Sequence, residues 1–123
     1  MPITPDKEAV AALLGLGPGL TPSGDDFLGG MLIALHVCGE KSVQKQLYNH
    51  VKSLFHITGP VSKAHLKAAA LGEVSDSLHQ VLNMLLNGND TKLEPAIDAI
   101  NKIGHTSGWD ALAGVALVLR QLV

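Results

Sequence analysis

The chain has 123 residues, nine basic and eleven acidic, a net charge of −2 and a single cysteine. That length suits one domain, residues 1–123, large enough to fold without a disulfide or metal staple, and the lone Cys38 points to a reducing, cytoplasmic compartment. With no basic run and 3% aromatic residues the chain has little to track phosphates or stack bases, which argues against nucleic acid; there is no secretion-signal order at the N-terminus, and the apolar stretches fall short of the ~20 residues a membrane helix needs.

Thr4-Pro5-Asp6 opens the first predicted helix, with a hydroxyl to cap it, proline in its first turn and an acid favoured by the helix dipole, ahead of Ala9 to Leu14 and a stop at Gly15. The Gly15 to Pro22 loop leads into a second helix from about Ser23 to Val37, ended by Gly39. A third, Ser42 to about Leu54, places Val43, Leu47, Val51 and Leu54 on one face, the pattern of an amphipathic surface helix. His56-Ile57-Thr58-Gly59-Pro60 breaks the chain, and an alanine-rich helix follows from Ser62 to Leu71, closed by Gly72. Ser75 begins the next, with Leu78, Val81, Leu82, Leu85 and Leu86 on one face and Gly88 at its end. Glu94-Pro95 opens a helix to Ile103, and the last runs from Ser107 to near the C-terminus. No stretch alternates apolar and polar residues long enough to compete as a strand, so the expected fold class is all-α: about seven helices in a single helical domain. Hydrophobic residues make up 46% and charged residues 16%, against about 25% charged in a typical chain, which predicts that another subunit covers some of the apolar surface.

The run from Leu14 to Asp26 is the densest in chemistry. Gly17 to Gly24 holds three glycines and two prolines, more than a simple helix cap requires, and it delivers Thr21, Ser23, Asp25 and Asp26 onto a helix start. It is not a P-loop, because Asp25 follows Gly24 where a Lys-Ser/Thr pair belongs. It is not a dinucleotide fingerprint, since Leu20 stands where the third glycine should, and not a hydrolase elbow, since Thr21 precedes Ser23 by two. A helix start whose free N–H groups lie beside two hydroxyls suits a phosphate or carboxylate. Asp25 and Asp26 repel such an anion unless Mg²⁺ lies between them and it, or unless they accept protons or point elsewhere. Local capping by Ser23 and Asp25 is the competing structural reading.

The core of this motif returns near the end of the chain. Ser23-Gly24-Asp25-Asp26-Phe27-Leu28-Gly29-Gly30 and Ser107-Gly108-Trp109-Asp110-Ala111-Leu112-Ala113-Gly114 both read S-G-x-D-x-L-x-G, so the two helix starts are candidates to face one shared site. Ser107 with Asp110 reads equally well as a capping box. His105, just ahead of the second copy, is a candidate acid or base. The six histidines otherwise show no zinc spacing, and Arg120 is the only arginine, so a phosphate site must draw on backbone N–H groups, lysine, a metal or a partner's arginine.

Three blocks, GLGPGLTPSGDDFLGG, TGPVSKAHLKAAALGE and GHTSGWDALAG, together resemble the family of the AllH subunit of oxamate carbamoyltransferase, and the likeness runs over roughly residues 10 to 120. The resemblance implies a chain matching the C-terminal core of longer proteins. It also implies a part in allantoin and purine-nitrogen breakdown, where a complex of several subunits converts oxalurate and phosphate to oxamate and carbamoyl phosphate. Such a transfer develops an oxyanion and needs N–H donors, a phosphate cradle and a proton source for the leaving nitrogen. The residues suited to those tasks are Gly17, Gly19, Thr21, Ser23 and Gly24 for the cradle, with Thr58 and Ser62 from the middle block and Ser107 and Gly108 from the second motif. Asp25, Asp26 and Asp110 would hold Mg²⁺ or manage protons, and His105 or Ser107 would complete the opposite wall.

Two functions follow from this reading. One is a transferase subunit that binds a small anion such as phosphate, carbamoyl phosphate or an oxamate-like molecule, working with other carbamoyltransferase subunits or as a homo-oligomer. The other is a non-catalytic helical subunit whose loop and apolar faces dock onto partners.

Overall fold

The computed structural model describes residues 6–73, 76–87, 98 and 107–122. Among them lie helices α1 (Lys7–Leu13), α2 (Ser23–Val37) and α3 (Lys41–Ser53), a 3-10 turn (Phe55–Ile57), then α4 (Pro60–Ala70), α5 (Asp76–Asn87) and α6 (Ser107–Leu122). No strand occurs among the described residues, so the fold is all-α. The helix expected from Glu94 to Ile103 lies, apart from Asp98, outside the described residues, as does Thr4.

Helix starts differ from the sequence expectation for local reasons. Asp6 caps α1, its side chain accepting from the Glu8 N–H at 3.0 Å. Ser23 does not cap α2: it is already the first helical residue, Pro22 takes the cap position, and no side chain closes the end. Proline's fixed φ and missing donor suit the first helical position, so α4 begins at Pro60 rather than at Ser62.

α2 is apolar on nearly every side, and a helix of that kind has to be surrounded. Leu28 is buried, as is every residue from Met31 to Leu35. Around it α1 contributes Val10, α3 Leu47 and Val51, α4 Leu66 and Ala69, α5 Leu78, Val81 and Leu82, and α6 Val115 and Val118, all in one cluster. Each such side chain stabilises the fold by about 1.5–3 kcal/mol on the usual area scale. The periodic residues Leu47, Val51 and Leu54 of the third helix are buried as their spacing requires.

The repeated motif explains how α2 and α6 meet. A Cβ on Gly30 would overlap the carbonyl of Ala111, and a Cβ on Gly114 would overlap the carbonyl of Phe27. Thus the last glycine of each copy lies against the fifth residue of the other, an exchange related by approximate two-fold symmetry. Position rises along one helix as it falls along the other, so the two run antiparallel across this contact. Gly24 does the same on α2's other flank, where a Cβ would overlap the carbonyl of Leu13. Its N–H donates to the Leu16 carbonyl at 3.0 Å, seating the end of α1 and the glycine loop on the first turn of α2.

Candidate functional site in a glycine-loop cleft

The glycine loop folds because its glycines take backbone angles that side chains disfavour. Gly15, Gly17 and Gly19 have φ of +80°, +112° and +92°. The loop comes back against the turn that follows α3, and between them lies a cleft of about 280 Å³ lined on one side by Gly15, Gly17, Gly19, Leu20 and Pro22 and on the other by residues 57–61. The starts of α2 and α4 both open onto it.

Asp25 ties the two walls together. It is 3% exposed. One oxygen, Oδ1, accepts from the Gly15 N–H at 2.6 Å, and the other, Oδ2, accepts from the Thr58 hydroxyl at 2.5 Å. A second tie runs from the Ser62 hydroxyl, fully buried, to the Leu20 carbonyl at 3.3 Å. Residues far apart in the chain are therefore held at fixed spacing, which defines the width of the cleft.

Backbone donors are unevenly distributed. In α2 the N–H of Gly24 goes to Leu16, and those of Asp25 and Asp26 go to the Pro22 carbonyl at 2.9 and 3.0 Å. Ser23 contributes the remaining N–H of that turn, and Gly17 lies flush with it: a Cβ on Gly17 would stand 3.1 Å from the Ser23 nitrogen. In α4 the Lys63 N–H reaches the Gly59 carbonyl at 3.1 Å, and no side chain caps the helix. Pro60 has no N–H, and those of Val61 and Ser62 precede the first helical bond and have no partner within the helix. The positive end of the α4 dipole adds to them.

The other residues singled out in the sequence fall in different places. Gly17 and Gly19 line the cleft, Thr58 lines it through its tie to Asp25, and Thr21 and Ser23 are half-buried on the loop side. Asp26 and Asp110 flank the α2–α6 crossing instead, each adjoining a residue that meets a glycine there, and each with its Oδ2 buried. Ser107 opens α6 and Gly108 is half-buried beside it. Because α2 and α6 run antiparallel, their starts point toward opposite ends of the crossing, and the motif copies serve a helix contact there. His105 lies outside the described residues.

Both oxygens of Asp25 accept hydrogen bonds, Oδ1 from the Gly15 N–H and Oδ2 from the Thr58 hydroxyl. Among the described residues no group of three or more His, Cys, Asp or Glu side chains is gathered closely enough to hold a metal ion. Seven lining residues were not among the candidates named from the sequence: Gly15, Leu20, Pro22, Ile57, Gly59, Pro60 and Val61. The signal for the second wall was the Thr58-Gly59-Pro60 break, which the sequence shows as a turn without showing what it faces.

Residues 13–119 match the family described as Oxamate carbamoyltransferase subunit AllH. The chain belongs to that family. The match takes in the glycine loop, the 57–61 turn and the α2–α6 crossing. No solved structure matches the chain. Among the described residues no helix is long and apolar enough to cross a membrane.

Proposed function

We propose that this AllH-family chain binds a small anionic substrate of the carbamoyltransferase reaction, phosphate or the carboxylate of oxalurate, in the cleft between the glycine loop and the 57–61 turn. The observation that carries this is the meeting of two helix starts at one cleft whose walls are tied by Asp25. Val61, whose N–H precedes the first helical bond of α4, lines the cleft, and the N–H groups of Ser23 and Ser62 belong to the adjoining first turns of α2 and α4. In the reaction a phosphate oxygen bonds to the carbamoyl carbon, the carbon–nitrogen bond to the oxamate portion breaks, and that nitrogen gains a proton. The cleft's part is to hold an anion still while N–H dipoles offset its charge. Asp25 acts as a positioning residue, since both its oxygens are occupied in holding the walls.

Gly59 gives a clean test. Its φ is −86°, which any residue adopts, and nothing lies within 4 Å of where a Cβ would stand. Gly59→Leu should therefore fold and fill the cleft. In the assembled enzyme we expect the KM for phosphate or oxalurate to rise at least about tenfold with the melting temperature little changed. Unchanged kinetic constants for both substrates would remove the cleft from substrate binding.

A docking role has its own supporting observation. Leu16, Leu20, Ile57 and Val61 are 56%, 75%, 42% and 38% exposed. Three of them line the cleft and the fourth, Leu16, sits on the same loop. Grouped exposed apolar side chains of this kind mark interaction surfaces.

A further inference from the structure

We infer that the cleft is half of a site, closed by a partner subunit that rests on its apolar rim and inserts a basic side chain. This rests on the anion reading above and names what that reading lacks. None of the described residues lining the cleft is charged, and the only polar side chain among them, Thr58, spends its hydroxyl on Asp25. Directly behind lies the Asp25 carboxylate, held by a backbone N–H and that hydroxyl. An anion placed there meets dipoles in front and a carboxylate behind, with no positive side chain among the described lining residues to balance either. The chain's one arginine, Arg120, stands in the last turn of α6 and is not among the residues lining the cleft.

The rim supplies the contact through which the missing charge arrives. Leu20, Ile57 and Val61 stand exposed around a cleft that carries no charge of its own. Protein interfaces combine such an apolar core with an arginine anchor. A second copy of this chain set cleft to cleft brings only the same uncharged lining and the same buried carboxylate, so a two-fold pairing leaves the positive charge missing. A different subunit of the enzyme, presenting an arginine or lysine within an apolar loop, fits.

The experiment compares the chain alone with the chain co-purified with the remaining carbamoyltransferase subunits. Assembly is followed by sedimentation for the wild type, Leu20→Glu and Val61→Glu, and inorganic phosphate binding by calorimetry. Both substituted side chains are solvent-exposed, so circular dichroism should be unchanged while assembly weakens at least tenfold. Phosphate should bind the assembly at least tenfold more tightly than the chain alone. Wild-type assembly by both variants would overturn the proposal. So would equal phosphate affinity with and without partners, especially if Arg120→Ala then abolished it; the anion site would stand and its cation would be this chain's own. Rim-dependent assembly with no phosphate binding in either form would overturn the shared site together with the anion reading, leaving only the contact.

Discussion

The cleft and the α2–α6 crossing both adjoin a copy of S-G-x-D, yet they are built in opposite ways. At the crossing, glycine removes side chains so that backbones touch, and buried apolar residues on both helices do the rest. At the cleft, glycine bends the chain, and two hydrogen-bonded ties hold the walls at fixed spacing. A repeated motif therefore does not imply a repeated function. In both copies the last glycine serves packing, and only the first copy has a cleft among the described residues in front of it.

The largest expected effect breaks the crossing. A methyl at position 30 or 114 meets a backbone carbonyl, which cannot swing aside as a side-chain tip can. Gly30→Ala and Gly114→Ala should each cost about 3 kcal/mol, read as a drop in the denaturant midpoint. Gly29→Ala is the control: the same addition there makes ordinary contact with Ala69 and Leu66 at 3.9 and 4.0 Å. Helix propensity then favours alanine, so that variant should be neutral or slightly stabilising. If all three behave alike, close approach is not what the motif's final glycine supplies.

A smaller effect sharpens the cleft. Asp25→Ala strands two donors, the Gly15 N–H and the Thr58 hydroxyl, and should cost about 2–4 kcal/mol. Asp25→Asn can keep both bonds, with its carbonyl accepting from Gly15 and its amide donating to Thr58. We expect it to recover most of the lost stability and to retain kcat within about threefold in the assembled enzyme. A metal ligand or proton acceptor would not tolerate the amide. Loss of kcat by orders of magnitude in Asp25→Asn, with stability intact, would return Asp25 to a catalytic role.

What the sequence disclosed follows the range of the forces involved. Local ones were legible: the four-and-three spacing of Leu47, Val51 and Leu54, the glycine stop after α2, and the excess of glycine and proline that marks the cleft's first wall. Thr58 and Ser62 were recognisable as polar residues at a break. Their partners were not, because the Thr58 to Asp25 bond spans 33 positions and depends on how α4 lies on α2. The same limit applies to the repeat. Recurrence identifies equivalent residues but carries no information on whether two helices run together or opposed, and it is the opposed direction that sends the two helix starts to opposite ends of the crossing; Asp25 and Asp26 part because consecutive side chains on a helix point about 100° apart. Leu20 and Val61 look like core residues by composition, and only their exposure in the fold reveals the rim.

The smallest expected effect uses Cys38 to separate the two regions within one helix. It follows the last residue of α2, 15 residues from the helix start, so it lies about 20 Å from the cleft. Burial pushes its thiol above the ordinary value, and Glu40 nearby adds to the shift. In the unfolded chain the proton leaves at lower pH. Any stability this confers is therefore present below the unfolded pKa and is lost as pH rises through the folded one, a decline that Cys38→Ser should abolish. Because the thiolate is the reactive form, alkylation of the native protein at pH 8 should be slower than in the denatured chain. The rate then reports which part of α2 has opened. Gly114→Ala, which disturbs the packing of the whole helix, should speed alkylation, whereas Asp25→Ala should leave it near the native rate at temperatures where the protein is folded. Equal acceleration by both would mean that cleft and crossing open together as one cooperative unit, and that the ties at the loop also hold the far end of the helix.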